Sequence, residues 1–185
     1  MSPMSLYRMP LSADQGWPEL AKSHPGLARL FLFLVLPLSL LPPAMLYYAG
    51  TQHPEIFPPE IGHKAWGQVA VVFFLAEIGT LLFMGWLIRQ VAASHRLTLD
   101  YHDAYMVASI APVPMWLSSL GLLIPDLTAA VIIAIGGLAL SCGLVYHGIE
   151  ALCRTREDVV AAGIVQIVIG AGLIAWALLL LVALA

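Results

Sequence analysis

Five long apolar stretches, at about residues 27–48, 66–88, 104–123, 127–146 and 159–184, constrain this chain more than any motif in it. A helix rising 1.5 Å per residue needs about 20 largely apolar residues to cross the hydrocarbon of a bilayer. Backbone amides in lipid must be satisfied within their own segment, so each stretch is predicted to cross as an α-helix. Composition argues against a water-soluble fold, because 61% of the 185 residues are hydrophobic and only 10% are charged. That leaves too little polar side chain to cover a soluble globule. The expected fold class is all-α: a polytopic membrane protein with five transmembrane helices in a compact bundle. Residues 27–185 make up this domain, and residues 1–26 are read as a short cytoplasmic N-terminal tail.

Lysine and arginine set the expected orientation. Arg8, Lys22 and Arg29 precede or open the first span, Arg89 and Arg96 lie between the second and third, and Arg154 and Arg156 between the fourth and fifth. Only Lys64 falls on the opposite side. Seven cations against one predict a cytoplasmic N-terminus and a C-terminus outside. The tail does not read as a signal peptide, since the apolar stretch after it is far longer than an h-region. Its Gly16-Trp17-Pro18 is expected to place an aromatic ring at the membrane surface. A net charge of −3 offers nothing to nucleic acid. Cys142 and Cys153 match no CxxC or zinc spacing and read as packing residues, so no metal and no cofactor are expected.

Prolines divide the third and fourth spans. Ile124-Pro125-Asp126 leaves almost no loop between them and reads as a tight hairpin, with Asp126 capping the next helix. Pro112 and Pro114 lie inside the third span, where each removes a backbone donor and frees a carbonyl one turn earlier. In lipid those carbonyls need polar neighbours, so this span is expected to be kinked and packed inside the bundle. Asp100 reads as the cap that starts it, and Thr155-Arg156-Glu157-Asp158 resembles a capping box ahead of the fifth span.

Few polar residues stand out against this background. Glu77 is the one carboxylate near the centre of a span, where hydrocarbon favours the neutral acid. It is either a proton- or ligand-handling group or a structural donor to the kinked neighbour. At the inner ends of the third and fourth spans, Tyr101, His102 and Asp103 accompany His147, Glu150 and Arg154. The latter three share one helix face by their i, i+3 and i+4 spacing. A salt-bridged rim, readable by a soluble partner, suits them better than a metal site. Glycines and Ser141 in the fourth and fifth spans read as close helix packing. No GxSxG, HExxH, Walker A or CxxCH motif occurs, so nothing positive points to an enzyme.

Two stretches carry a family resemblance. Trp17…His24-Pro25…Arg29, leading into LFLFLVLPLSLLPPAMLYYAG, resembles the opening of bacterial members of the Yip family, the Ypt/Rab-interacting membrane proteins. YHDAYMVASIAPVPMWLSSLGLLIPDL and then GLVYHGIEALCRTREDVVAAGI are similar to its core. There a proline precedes a Trp-Leu-type pair, an Ile-Pro turn follows, and the next helix ends in a Tyr-x-Gly element, here Tyr146-His147-Gly148. The resemblance covers nearly all of the chain from about residue 17 and implies a five-helix membrane domain with a cytoplasmic N-terminus. Eukaryotic relatives are linked to Rab GTPases and vesicle traffic. The short tail read here points instead to the bacterial type, multi-pass in the inner (cytoplasmic) membrane.

The functional expectation is a non-enzymatic adaptor or scaffold, with the lipid bilayer, a membrane or cytoplasmic protein, and a further copy of itself as partners. Its contact surface would be the inner rim. The alternative is a small oligomeric transporter or channel component using Glu77 and the Pro112/Pro114 kink. A lipid-acting enzyme is a distant third and would need a polar pocket joining His102, Asp103, His147 and Glu150.

Overall fold

In a computed structural model, the structure describes Trp17 and residues 26–59, 64–95, 97, 99–153 and 158–184. Among them there are helices and turns and no strand. Five crossings are long and apolar enough to span a membrane. They are α1 (Leu27–Gln52), α2 (Trp66–Ser94), a third crossing over Tyr101–Leu123, α5 (Leu127–Cys153) and α6 (Asp158–Leu184). The third crossing is not one helix. It consists of α3 (Tyr101–Ile110), α4 (Val113–Ser118) and a 3-10 turn over Ser119–Leu123.

The break between α3 and α4 follows from its prolines. Ala111 N–H still reaches the Val107 carbonyl at 2.9 Å, and then Pro112 has no proton to give. The helix restarts when Trp116 N–H donates to Pro112 O at 2.9 Å. Prolines also disturb α1, which carries a π-helical turn over Phe31–Val35 just before Pro37 and a break at Leu40 before Pro42-Pro43. This second irregularity has the same cause, a lost donor inside a membrane helix.

Both predicted caps form. Asp100 Oδ1 accepts from Tyr101 N–H at 2.7 Å, and Asp126 Oδ1 accepts from Thr128 N–H at 2.9 Å. The Asp126 carbonyl also takes Ala130 N–H at 3.1 Å, so the hairpin turns directly into α5. Several helices outrun the hydropathic stretches: α2 continues to Ser94, α1 to Gln52 and α5 to Cys153.

The crossings run up and down, leaving Leu27, Ser94, Tyr101, Cys153 and Asp158 at one end of the bundle, the proximal end. Gln52, Trp66, Leu123 and Leu127 lie at the distal end. Burial ranks the crossings: 56% of the third is buried, against 17% of those formed by α5 and α6. The third crossing is therefore the axle, with α2 packed on α1, α3 and α6, and α5 packed on α4 and α6. Leu32, Phe33, Val71, Leu75, Ile132 and Ile174 point outward, as a lipid-facing surface requires and a soluble one does not tolerate.

Lipid supplies no hydrophobic drive between helices, so close backbone approach has to hold them together. Three glycines make it possible. A Cβ on Gly85 would stand 3.3 Å from the Tyr105 ring, and one on Gly50 would fall within the Trp66 ring system. A Cβ on Gly137 would lie 2.7 Å from Ser118 Cβ and 2.9 Å from the Pro114 carbonyl oxygen. The distal end adds a ring contact, Phe57 on Trp66 with centroids 4.7 Å apart.

One sequence expectation is corrected. Trp17 is not an interfacial aromatic; it is 1% exposed and lies in the core with Leu30, Leu34 and Ile149. The opening it fills is made by Gly148, where a Cβ would sit 2.8 Å from the indole ring.

Candidate functional site

Two of the polar regions hold the residues singled out in sequence, one within the membrane and one at the proximal rim; a third, at the distal end, sets His53 Nδ1 3.3 Å from Glu55 Oε1. The first is built by α2 and α4. Glu77 lies near the middle of α2 and is buried, as is Trp116 in the short helix after the proline break. The indole N–H, a donor only, hydrogen-bonds the Glu77 carboxyl. The other carboxyl oxygen, Oε2, is buried and has no partner among the described residues.

The bond joins α2 to α4, the helix that restarts at Val113 after the break. Glu77 was legible in sequence as an intramembrane acid, but its partner was expected to be a carbonyl freed by Pro112 or Pro114. The hydrogen bond that forms is donated by an indole instead. Pro112 is half-buried and Pro114 fully buried, its carbonyl oxygen turned toward Gly137 of α5.

A double-mutant cycle measures the pair. Glu77→Leu leaves the Trp116 N–H buried and unpaired, and Trp116→Phe removes that donor. Unfolding in detergent micelles should show a coupling energy of about 0.6–2 kcal/mol between the two substitutions. Strict additivity would mean that the hydrogen bond contributes nothing to the fold.

The rim is assembled from two helix ends. Tyr101 is exposed at the start of α3 and stacks on Tyr105 with centroids 6.1 Å apart. His102 Nδ1 stands 3.5 Å from Asp103 Oδ1, both side chains about four-fifths covered. On α5, His147 Nδ1 stands 3.8 Å from Glu150 Oε2, and that carboxylate is exposed. Tyr146 meets the His147 ring edge-on at 5.4 Å. The structure thus makes neighbours of His102 and Asp103 and of His147 and Glu150, each pair on its own helix. Arg154, the third member of the predicted α5 face, lies outside the described residues. So do Arg8, Lys22, Arg96, Arg156 and the Thr155–Glu157 part of the capping box.

Among the described residues no group of three or more His, Cys, Asp or Glu side chains gathers that could hold a metal ion. What the rim offers is hydrogen-bonding and ionic groups, arrayed at the proximal end of the bundle. That chemistry suits recognition of a polar surface.

Sequence reasoning passed over three participants. Trp116 needed the register of α2 against α4, which no local pattern states. Gly148 was read as one packing glycine among several, though it receives Trp17 beside His147. Gln166, a carboxamide on α6, was masked by the apolar run around it; it is exposed on the outside of the bundle.

Comparison with known proteins agrees with this architecture. Neither the curated proteins nor the solved structures returned a match. The Yip1 domain matches residues 5–179, which takes in the first four crossings, most of the fifth, the proline break, the hairpin and the Tyr146-His147-Gly148 element. A match over that span, on a five-helix membrane bundle, establishes that the chain belongs to the Yip1 domain family.

Proposed function

We propose that this chain is a non-enzymatic membrane adaptor or scaffold whose proximal rim is read by a protein or lipid partner on the cytoplasmic side. The observation that carries the reading is the rim itself. His102–Asp103 and His147–Glu150 place polar pairs at the ends of two adjacent crossings, with Tyr101 exposed beside them. A cytoplasmic position for that end rests on the seven cations expected there against Lys64 at the other. The N-terminus would then be cytoplasmic and the C-terminus outside. The membrane we assign is a bacterial inner membrane, on the likeness of residues 17–50 to bacterial members of the family.

Native pull-down from membranes tests this. The chain should bring down a stoichiometric partner, and combined Asp103→Ala and Glu150→Lys substitutions should reduce its recovery several-fold while the chain stays folded. Repeated recovery of the chain alone, or a partner indifferent to the rim, would overturn the reading.

Glu77 favours a second reading, a small oligomeric transporter or channel component with the Pro112/Pro114 break beside its path. Its support is the unpartnered Oε2 in mid-membrane, since intramembrane acids tend to mark pathways. Glu77→Gln discriminates the two. A transporter that needs the acid loses flux in reconstituted vesicles; an adaptor keeps its partner.

A further inference from the structure

A groove of about 480 Å³ runs along the outside of the bundle between α5 and α6. Tyr146 forms one side; Ala162, Gln166, Gly170 and Leu173 line the other. Ala162, Gln166 and Gly170 recur every fourth residue, so they form one stripe on α6. Gln166 lies eight residues into α6, about 12 Å along the helix from Asp158. It is exposed, so its carboxamide meets lipid in the isolated chain.

Hydrocarbon makes that position costly. A carboxamide has two donors and an acceptor, none of which an acyl chain can satisfy. Side chains of this kind in membrane helices characteristically bond across to another helix. The residues one turn either side are small, and a Cβ on Gly170 would find nothing within 4 Å. A second helix backbone can therefore come close enough for the amide to reach.

We propose that this groove seats a second copy of the chain, paired through Gln166 about a twofold axis along the membrane normal. Copies of one membrane protein share one orientation, so a twofold axis along the normal brings equivalent residues together at the same depth. Gln166 then meets Gln166. A carboxamide is complementary to itself, each N–H donating to the other's carbonyl oxygen, whereas a charged side chain would repel its copy. That self-complementarity favours a second copy over an acyl chain, which has no polar group at this depth, whereas an unrelated helix would have to bring a polar group of its own to the same depth. The pairing is independent of the adaptor reading, which is tested at the rim.

The experiment uses the full chain in native membranes, with Cys142→Ala and Cys153→Ala as background. Gln166→Cys should form a disulfide-linked dimer under mild oxidation, and Leu75→Cys, on the exposed face of α2, should not. Purified into bilayer discs, the parent chain should have the mass of two copies. Gln166→Leu should raise the dimer dissociation constant roughly 3- to 30-fold. Gly170→Leu, which fills open groove and leaves the monomer fold unstrained, should give single copies. The proposal is overturned if residue 166 links no better than residue 75, or if single copies carry bound lipid in the groove. It also fails if residue 166 links instead to a different protein.

Discussion

Gly137→Leu is expected to lower the unfolding free energy by about 3 kcal/mol, measured by denaturant titration in micelles. At this point α5 lies against the restarted helix α4 with no room for a side chain. The first carbon added would stand 2.7 Å from Ser118 Cβ and 2.9 Å from Pro114 O. Neither obstacle is the loose end of a long side chain. One is backbone, and the Ser118 rotamer is pinned by its hydroxyl donating to Met115 O at 2.8 Å. Relief therefore requires α4 to move off α5, which disturbs the axle of the bundle. The adjacent residue provides the control. A Cβ on Gly136 meets nothing within 4 Å, so Gly136→Ala should be neutral, or stabilising by up to about 1 kcal/mol through helix propensity. Equal effects at the two positions would show that flexibility, not the α4–α5 approach, is what these glycines provide.

Trp17→Ala should cost a similar amount or more, about 3–5 kcal/mol, since an indole nearly closed off from solvent leaves a large void. Trp17 Nε1 is buried without a partner among the described residues, so the ring contributes through packing alone. Trp17→Phe should accordingly keep most of the stability. Gly148→Leu should reproduce the Trp17→Ala loss from the other side, because the space the ring occupies would be filled. The loss should appear in the same denaturant titration. A Trp17→Ala chain as stable as the parent would remove Trp17 from the core.

These two sites show what was legible in the sequence. Hydropathy gave the five crossings because each is a local property of about 20 consecutive residues. The α3–α4 break and the Asp100 and Asp126 caps were legible too, since proline and aspartate act on amides within one turn of themselves. Pro37 and Pro42-Pro43 carry the same local signal in the first span. Trp17 was misplaced because Gly-Trp-Pro ahead of an apolar run looks interfacial by every local rule. Its burial depends on Gly148, far along the chain, where one absent methyl makes the space. Glu77 stood out by itself, but its bond to Trp116 depends on how a broken helix is rotated against its neighbour. Hydrophobic periodicity says little about that in a bundle whose helices are apolar on every side.

The third crossing has a further consequence, for biosynthesis. It is the least hydropathic of the five, is interrupted by prolines, and is the one most enclosed by protein. The segment on which the finished bundle turns is thus the one with the least affinity of its own for lipid. During synthesis α1 and α2 emerge first and can hold the α3–α4 segment, whereas α5 emerges just after it across a three-residue hairpin, Ile124–Asp126. So short a hairpin ties the least apolar crossing directly to the strongly apolar α5 as an antiparallel pair. Gly137 is what lets the two members of that pair close on each other.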